Sequence, residues 1–173
     1  MKLIRLRAFT ALFLCTAVTL VGFAVLKGPM RSLEIAVVLA VLRAGGRLTE
    51  IGGYAIQALP AHQLPFRVEV TPYCSSLVAI LALAGIAGFV LPGPRMRRLA
   101  AFAAASVLVV VCNIARIAAS IWVGIRYGAG DLVLFHNWVG TLFALAYTLL
   151  GFIFMLFLML PKTQERADFP KGS

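Results

Sequence analysis

Residues 138–160 form a run of 23 residues without a single charged side chain. A spanning α-helix needs about 20 apolar residues to cross a hydrocarbon core about 30 Å thick, so this run alone argues against an ordinary soluble fold. Residues 8–26, 74–91 and 99–125 have the same character. With 62% hydrophobic residues and a mean hydropathy of +0.98, the chain carries more apolar surface than a soluble domain of its size can bury. The sequence therefore predicts an all-α integral membrane helical bundle. It reads as a single membrane domain over 1–173, with four transmembrane helices at 8–26, 74–91, 99–125 and 136–160.

Lys2, Arg5 and Arg7 precede the first run, as basic residues do in a secretory signal. The run is long for a signal's apolar region, however, and Lys27 follows it without a small-residue cleavage site, so it reads as a retained anchor. The net charge of +10 is read as basic residues marking cytoplasmic ends rather than as a nucleic-acid surface. The turn "PGPRMRRL" at 92–99 carries three arginines and is placed inside, with the N-terminus and a cytoplasmic tail at 161–173. "RYGAGDLVLFHN" (126–137) is then a short outside loop.

Residues 27–73 must begin and end outside, as an extracytoplasmic or interfacial segment. Within them, "LEIAVVLAVL" (33–42) is too short to span and contains Glu34, so it predicts an interfacial or re-entrant helix. Arg31, Arg43, Arg47 and Arg67 run against the charge rule there. The Gly- and Pro-rich stretch that follows ends in "FRVEV", whose alternation predicts a strand. A small extracytoplasmic cap with a short strand or two is expected, and His62 in its Pro-rich loop reads as solvated.

Polar residues near the ends of the spans carry the chemistry. Arg116 and Asn113 share one face of the third span (i, i+3), and a charged residue inside a span normally faces the bundle interior with a partner. At 1.5 Å per residue, Arg116 stands about 26 Å from Leu99, close to the outer boundary. His136 begins the last span, just before the interfacial anchor Trp138. Cys74 begins the second. Thr71 there is a good N-cap and Pro72 a favoured first helical residue, which would put Cys74 in the first turn, where the helix dipole lowers a thiol pKa. Cys15 and Cys112 lie inside apolar runs, and with no CxxC there is no disulfide framework or thiol relay.

Taken singly, each residue has a bland reading: a snorkelling arginine, an interfacial histidine, a small core cysteine. Jointly, three helices bring them to one depth. A thiolate that attacks a carbonyl, a histidine that moves protons and an arginine that stabilises an oxyanion explain all three.

In this order "PYCSSL", "CNIARI" and "FHNWVG" resemble the exosortase/archaeosortase family of membrane cysteine transpeptidases. That family's pattern is a Cys-Ser at a helix start, an Asn-x-x-Arg helix and a late His followed by Gly, which here fall on Cys74 and Ser75, Asn113 and Arg116, and His136 and Gly140. The resemblance covers residues 66–145. It implies Cys74, Arg116 and His136 as catalytic residues with Asn113 and Ser75 in support. It further implies a multi-pass enzyme of the bacterial cytoplasmic membrane whose site faces the extracytoplasmic side. Its substrates would be secreted proteins with a C-terminal motif, membrane helix and basic cluster, passed through a Cys thioester to an acceptor. Two departures stand out: Ser76 replaces the family's usual glycine, and the chain is more compact than most members.

The competing reading is a non-enzymatic scaffold or transporter subunit that binds through Arg116 and His136. A thiol redox protein lacks its CxxC, and a rhomboid-like serine protease lacks Gly-x-Ser-x-Gly. No cofactor or metal is expected, and lipid is the surrounding partner.

Overall fold

The computed structural model describes residues 2–44, 49–52, 54–58 and 65–160. His62, Arg47 and the tail at 161–173 lie outside the described residues. Among the described residues the chain is a helical bundle carrying a small sheet.

The first helix, α1, runs unbroken over Lys2–Ala44, about 65 Å at 1.5 Å per residue. The segment 33–42 is thus not a separate interfacial or re-entrant helix. Pro29 lies inside α1, but the helix continues because its second half has a face to bury. Arg31, Glu34, Ile35, Val38, Leu39 and Leu42 are buried, and their i, i+3, i+4 spacing makes one stripe. That stripe packs on Ile56, Val70, Ile117 and Ile121. The first half of α1 is mostly exposed along its length, with Phe9, Phe13 and Leu20 facing outward, as a helix against lipid requires.

The cap is a three-stranded antiparallel sheet, one strand more than the sequence suggested: β1 (Thr49–Gly52), β2 (Ala55–Ala58) and β3 (Phe66–Glu69), in that order. Arg31 ties α1 to it. Its guanidinium lies 4.0 Å from the Tyr54 ring centroid and 3.9 Å from Glu69 Oε1. These contacts give Arg31 a local reason to be on the side where the charge rule disfavours it.

A 3-10 turn (Pro72–Cys74) leads to the short apolar helix α2 (Leu77–Gly85), which ends in a π-helical turn (Ile86–Val90). The span expected at 74–91 is therefore helical only from Leu77. Helix α3 (Arg95–Tyr127) follows. Gly128, at φ 116°, turns the chain sharply into α4 (Ala129–Asn137), a left-handed conformation that suits glycine. The segment expected as an outside loop is thus mostly helix. A bend at Trp138 joins α4 to α5 (Val139–Met159).

Among the described residues three helices, Leu12–Ala44, Arg95–Tyr127 and Ala129–Met159, are long and apolar enough to cross a membrane, and Leu77–Val90 is a shorter apolar helix. The second core lies between α2, α3 and α5, around Leu83, Ala105, Val109, Tyr147 and Met155. Small residues allow the close approach there. A Cβ on Gly151 would come within 2.7 Å of Val109 Cγ2. Several hydroxyls within the helices bond back one turn, as Thr16 Oγ1 does to the Leu12 carbonyl and Thr148 Oγ1 to that of Ala144, whereas the buried Ser106 Oγ on α3 has no partner among the described residues. No polar group on the two threonine side chains is left bare.

Candidate active site

Cys74 ends the 3-10 turn rather than opening a long helix. Ser75 is extended and α2 begins two residues later. Thr71 makes no capping bond. Its hydroxyl instead lies 3.1 Å from Cys74 Sγ, while the Cys74 N–H bonds the Thr71 carbonyl at 3.0 Å. The anticipated first-turn environment is therefore corrected: the turn presents the thiol, and the sulfur's neighbours come from the Thr71 side chain and from α4.

The α4 neighbour is His136. Its Nε2 lies 3.4 Å from Cys74 Sγ, across 62 residues of chain. The bend at Trp138 leaves His136 in the last turn of α4, beside Gly140 on α5. A Cβ on Gly140 would contact both His136 Nδ1 and Arg116 Cδ at 3.8 Å. Burial pushes the Cys74 thiol up, but the hydrogen bonds of His136 and Thr71 and the charge of His136 outweigh it. The thiol is lowered from its ordinary 9.0 to about 7. That value makes a substantial thiolate fraction available near neutral pH.

Arg116 and Asn113 meet Cys74 through its main chain. The Cys74 carbonyl oxygen accepts Arg116 Nη2 at 2.9 Å and Asn113 Nδ2 at 3.0 Å. Arg116 Nη1 donates to the Gly140 carbonyl at 3.3 Å, and its Nε is buried with no hydrogen-bond partner among the described residues. Both side chains are buried, Asn113 completely. Ser75 Oγ accepts the Leu77 N–H at 3.2 Å and so steadies the start of α2. The structure thus brings Cys74, Arg116, His136, Asn113 and Ser75 into one cluster.

Two residues of this cluster did not stand out in the sequence as site residues. Glu34 on α1 is fully buried, and its Oε1 accepts Asn113 Nδ2 at 3.0 Å, Ser76 N–H at 2.9 Å and Ser76 Oγ at 2.6 Å. Tyr147 on α5 donates its hydroxyl to Asn113 Oδ1 at 2.9 Å. A carboxylate inside an apolar run was the available signal for Glu34. Tyr147 offered none, since a tyrosine in an apolar helix is ordinary.

A cleft of about 270 Å³ opens beside the thiol. Its apolar walls include Phe66, Val68, Ile117 and Leu132, and Cys74 and His136 both line it. Among the described residues no group of His, Cys, Asp and Glu is arranged to hold a metal ion. Arg116 is not among the residues that line the cleft; its guanidinium reaches the Cys74 carbonyl from the buried side of the turn. Cys74 and His136 can deliver a nucleophile and a proton carrier to an extended chain lying in the cleft.

Residues 1–163 match the family described as transmembrane exosortase (Exosortase_EpsH). No curated protein and no solved structure matches the chain.

Proposed function

The chain belongs to the transmembrane exosortase family, and on that premise we propose that it is a membrane cysteine protease and transpeptidase with Cys74 as nucleophile, His136 as general acid and base, and Arg116 as oxyanion stabiliser. Family membership itself supports a multi-pass membrane transpeptidase or protease acting on membrane-protein substrates. The finer assignment rests chiefly on one observation: Cys74 Sγ lies 3.4 Å from His136 Nε2 at the edge of a cleft.

In the first half-reaction the Cys74 thiolate forms a C–S bond to the scissile carbonyl carbon, and the C=O pair moves onto oxygen. Arg116, whose Nη2 already reaches the Cys74 carbonyl at 2.9 Å, shifts its N–H donors toward that oxyanion once substrate is bound. Collapse breaks the C–N bond, and His136 gives its Nε2 proton to the departing nitrogen. In the second half, an acceptor nucleophile loses its proton to His136 and attacks the thioester. The C–S bond breaks and the thiolate returns.

The substrate is a secreted protein whose C-terminal signal joins a short motif, a membrane helix and a basic cluster. Anchoring by that helix holds the scissile bond at a fixed depth and supplies proximity. The site stands at the end of the bundle away from Arg95, Arg97 and Arg98. With that arginine end inside the cytoplasmic membrane boundary, the site faces the extracytoplasmic side.

The test is co-expression of such a substrate with the wild type, Cys74→Ala and Cys74→Ser. Loss of the nucleophile lowers processing by at least about 10³-fold. Unchanged processing with Cys74→Ala contradicts the assignment. A silent Cys74→Ser together with a defective Arg116→Ala would favour a binding role instead.

A further inference from the structure

We infer that Glu34 is a positioning residue for Cys74, acting through Ser76 on one side of the nucleophile and Asn113 on the other. The inference deepens the reading of Cys74 as nucleophile.

Glu34 Oε1 receives three donors: Ser76 N–H, Ser76 Oγ and Asn113 Nδ2. Ser76 lies two residues beyond Cys74 and precedes the first residue of α2. Asn113 Nδ2 also donates to the Cys74 carbonyl, and Tyr147 fixes which way the Asn113 amide faces by donating to its oxygen. One carboxylate oxygen thereby holds both flanks of the reactive turn. The turn needs such support. Its internal bonds are one from Cys74 N–H to Thr71 and a long one of 3.4 Å from Ser75 N–H to Pro72.

Packing alone does not account for an acid at position 34. The neighbouring buried residues Ile35, Val38 and Leu39 are apolar, and a buried carboxylate costs solvation that an apolar side chain would not. Glu34 Oε1 has three donors, while Oε2 is buried without a partner among the described residues. Glu34 is also linked to Arg116 through Asn113 and the Cys74 carbonyl.

If the turn loosens, the 3.4 Å contact of sulfur with His136 loosens with it, and the thiol loses the partner that holds its titration low. The ionisable groups around the turn are Tyr73 within it, His136 on α4, Arg116 on α3, Glu34 on α1, Tyr147 on α5 behind Asn113, and Arg67 and Glu69 on β3 along the cleft.

The experiment follows iodoacetamide alkylation of Cys74 against pH by peptide mass spectrometry, on full-length protein in membranes. It uses the wild type, Glu34→Gln, Ser76→Ala and the double variant. Glu34→Gln keeps an acceptor oxygen and removes the charge, whereas Ser76→Ala removes only the hydroxyl. Both single variants move the alkylation midpoint upward from about 7 toward 9.0, in Glu34→Gln against the downward shift that losing a negative charge alone would give, and lower substrate turnover about tenfold, in kcat rather than KM. Because Ser76 acts through Glu34, the double variant is scarcely worse than Glu34→Gln. A midpoint still near 7 in both folded single variants, or strictly additive losses in the double, overturns the inference. Alkylation needs no substrate, so this result stands apart from the Cys74→Ala processing test. Normal processing by Cys74→Ala would end the nucleophile reading without touching the midpoint.

Discussion

Arg97 and Arg98 near the start of α3, and Arg116 about two-thirds of the way along it, do the same thing in different company. At the first end, Arg97 donates to the carbonyls of Leu158 and Leu160, and Arg98 to those of Ala87, Gly88 and Leu91. These carbonyls end α5 and the π-helical turn, where helix termini leave acceptors unsatisfied. Further along the helix, Arg116 donates to the carbonyls of Cys74 and Gly140. An arginine bonded to backbone carbonyls is therefore no functional signature in itself. Around Arg116 the carbonyl belongs to a turn that carries a thiol, an imidazole faces the sulfur, and a buried carboxylate braces both flanks. The Arg98 end has helix termini and apolar residues.

That contrast can be broken experimentally. The largest effect belongs to His136→Ala, which removes the proton carrier and lowers turnover by about 10²–10⁴-fold, measured on a secreted substrate with a C-terminal sorting signal. Next, Arg116→Ala lowers kcat by about 10²–10³-fold if it stabilises the oxyanion. A loss seen only in protein abundance would make Arg116 the equivalent of Arg98. Arg98→Ala should show the reverse pattern: a loss of about 1–3 kcal/mol in stability from unsatisfied carbonyls, read as a lower unfolding temperature in detergent, with turnover per folded molecule unchanged. Thr71→Val is the smallest. It removes one hydroxyl from the sulfur, raising the alkylation midpoint of Cys74 by less than His136→Ala does.

The contrast also explains what could be read in advance. Residues 99–125 and 138–160 announced themselves as helices because an apolar run of spanning length has few alternatives in a bilayer. The α1 helix was legible as two pieces, 8–26 and a short helix at 33–42, since the second is too short to span and contains Glu34. Its continuation depends on a buried stripe whose partners lie on α3 and the sheet, far away in sequence. The α4 helix was hidden by "GAGD", which reads as loop although Gly128 alone makes the turn. Cys74, Arg116 and His136 were visible as polar residues in apolar surroundings. The Thr71 bond to sulfur was not visible, because local propensity favoured a helix cap there. Ser76 departed from the glycine expected by resemblance without apparent reason. Its hydroxyl meets Glu34 across 42 residues of chain, a pairing that no local pattern encodes.

The pH dependence has a definite sign. A thiol whose folded pKa is lowered from 9.0 to about 7 is stabilised as thiolate. Its contribution to stability is present in full above 9.0 and is lost as pH falls through about 7. Its reactivity rises over the same lower limb. The most direct test of the Cys74–His136 pair is therefore the pH profile of Cys74 alkylation in the wild type and in His136→Ala. A midpoint near 7 that moves up when the imidazole is removed is the predicted result. A wild-type midpoint near 9.0, or one indifferent to His136→Ala, would contradict it.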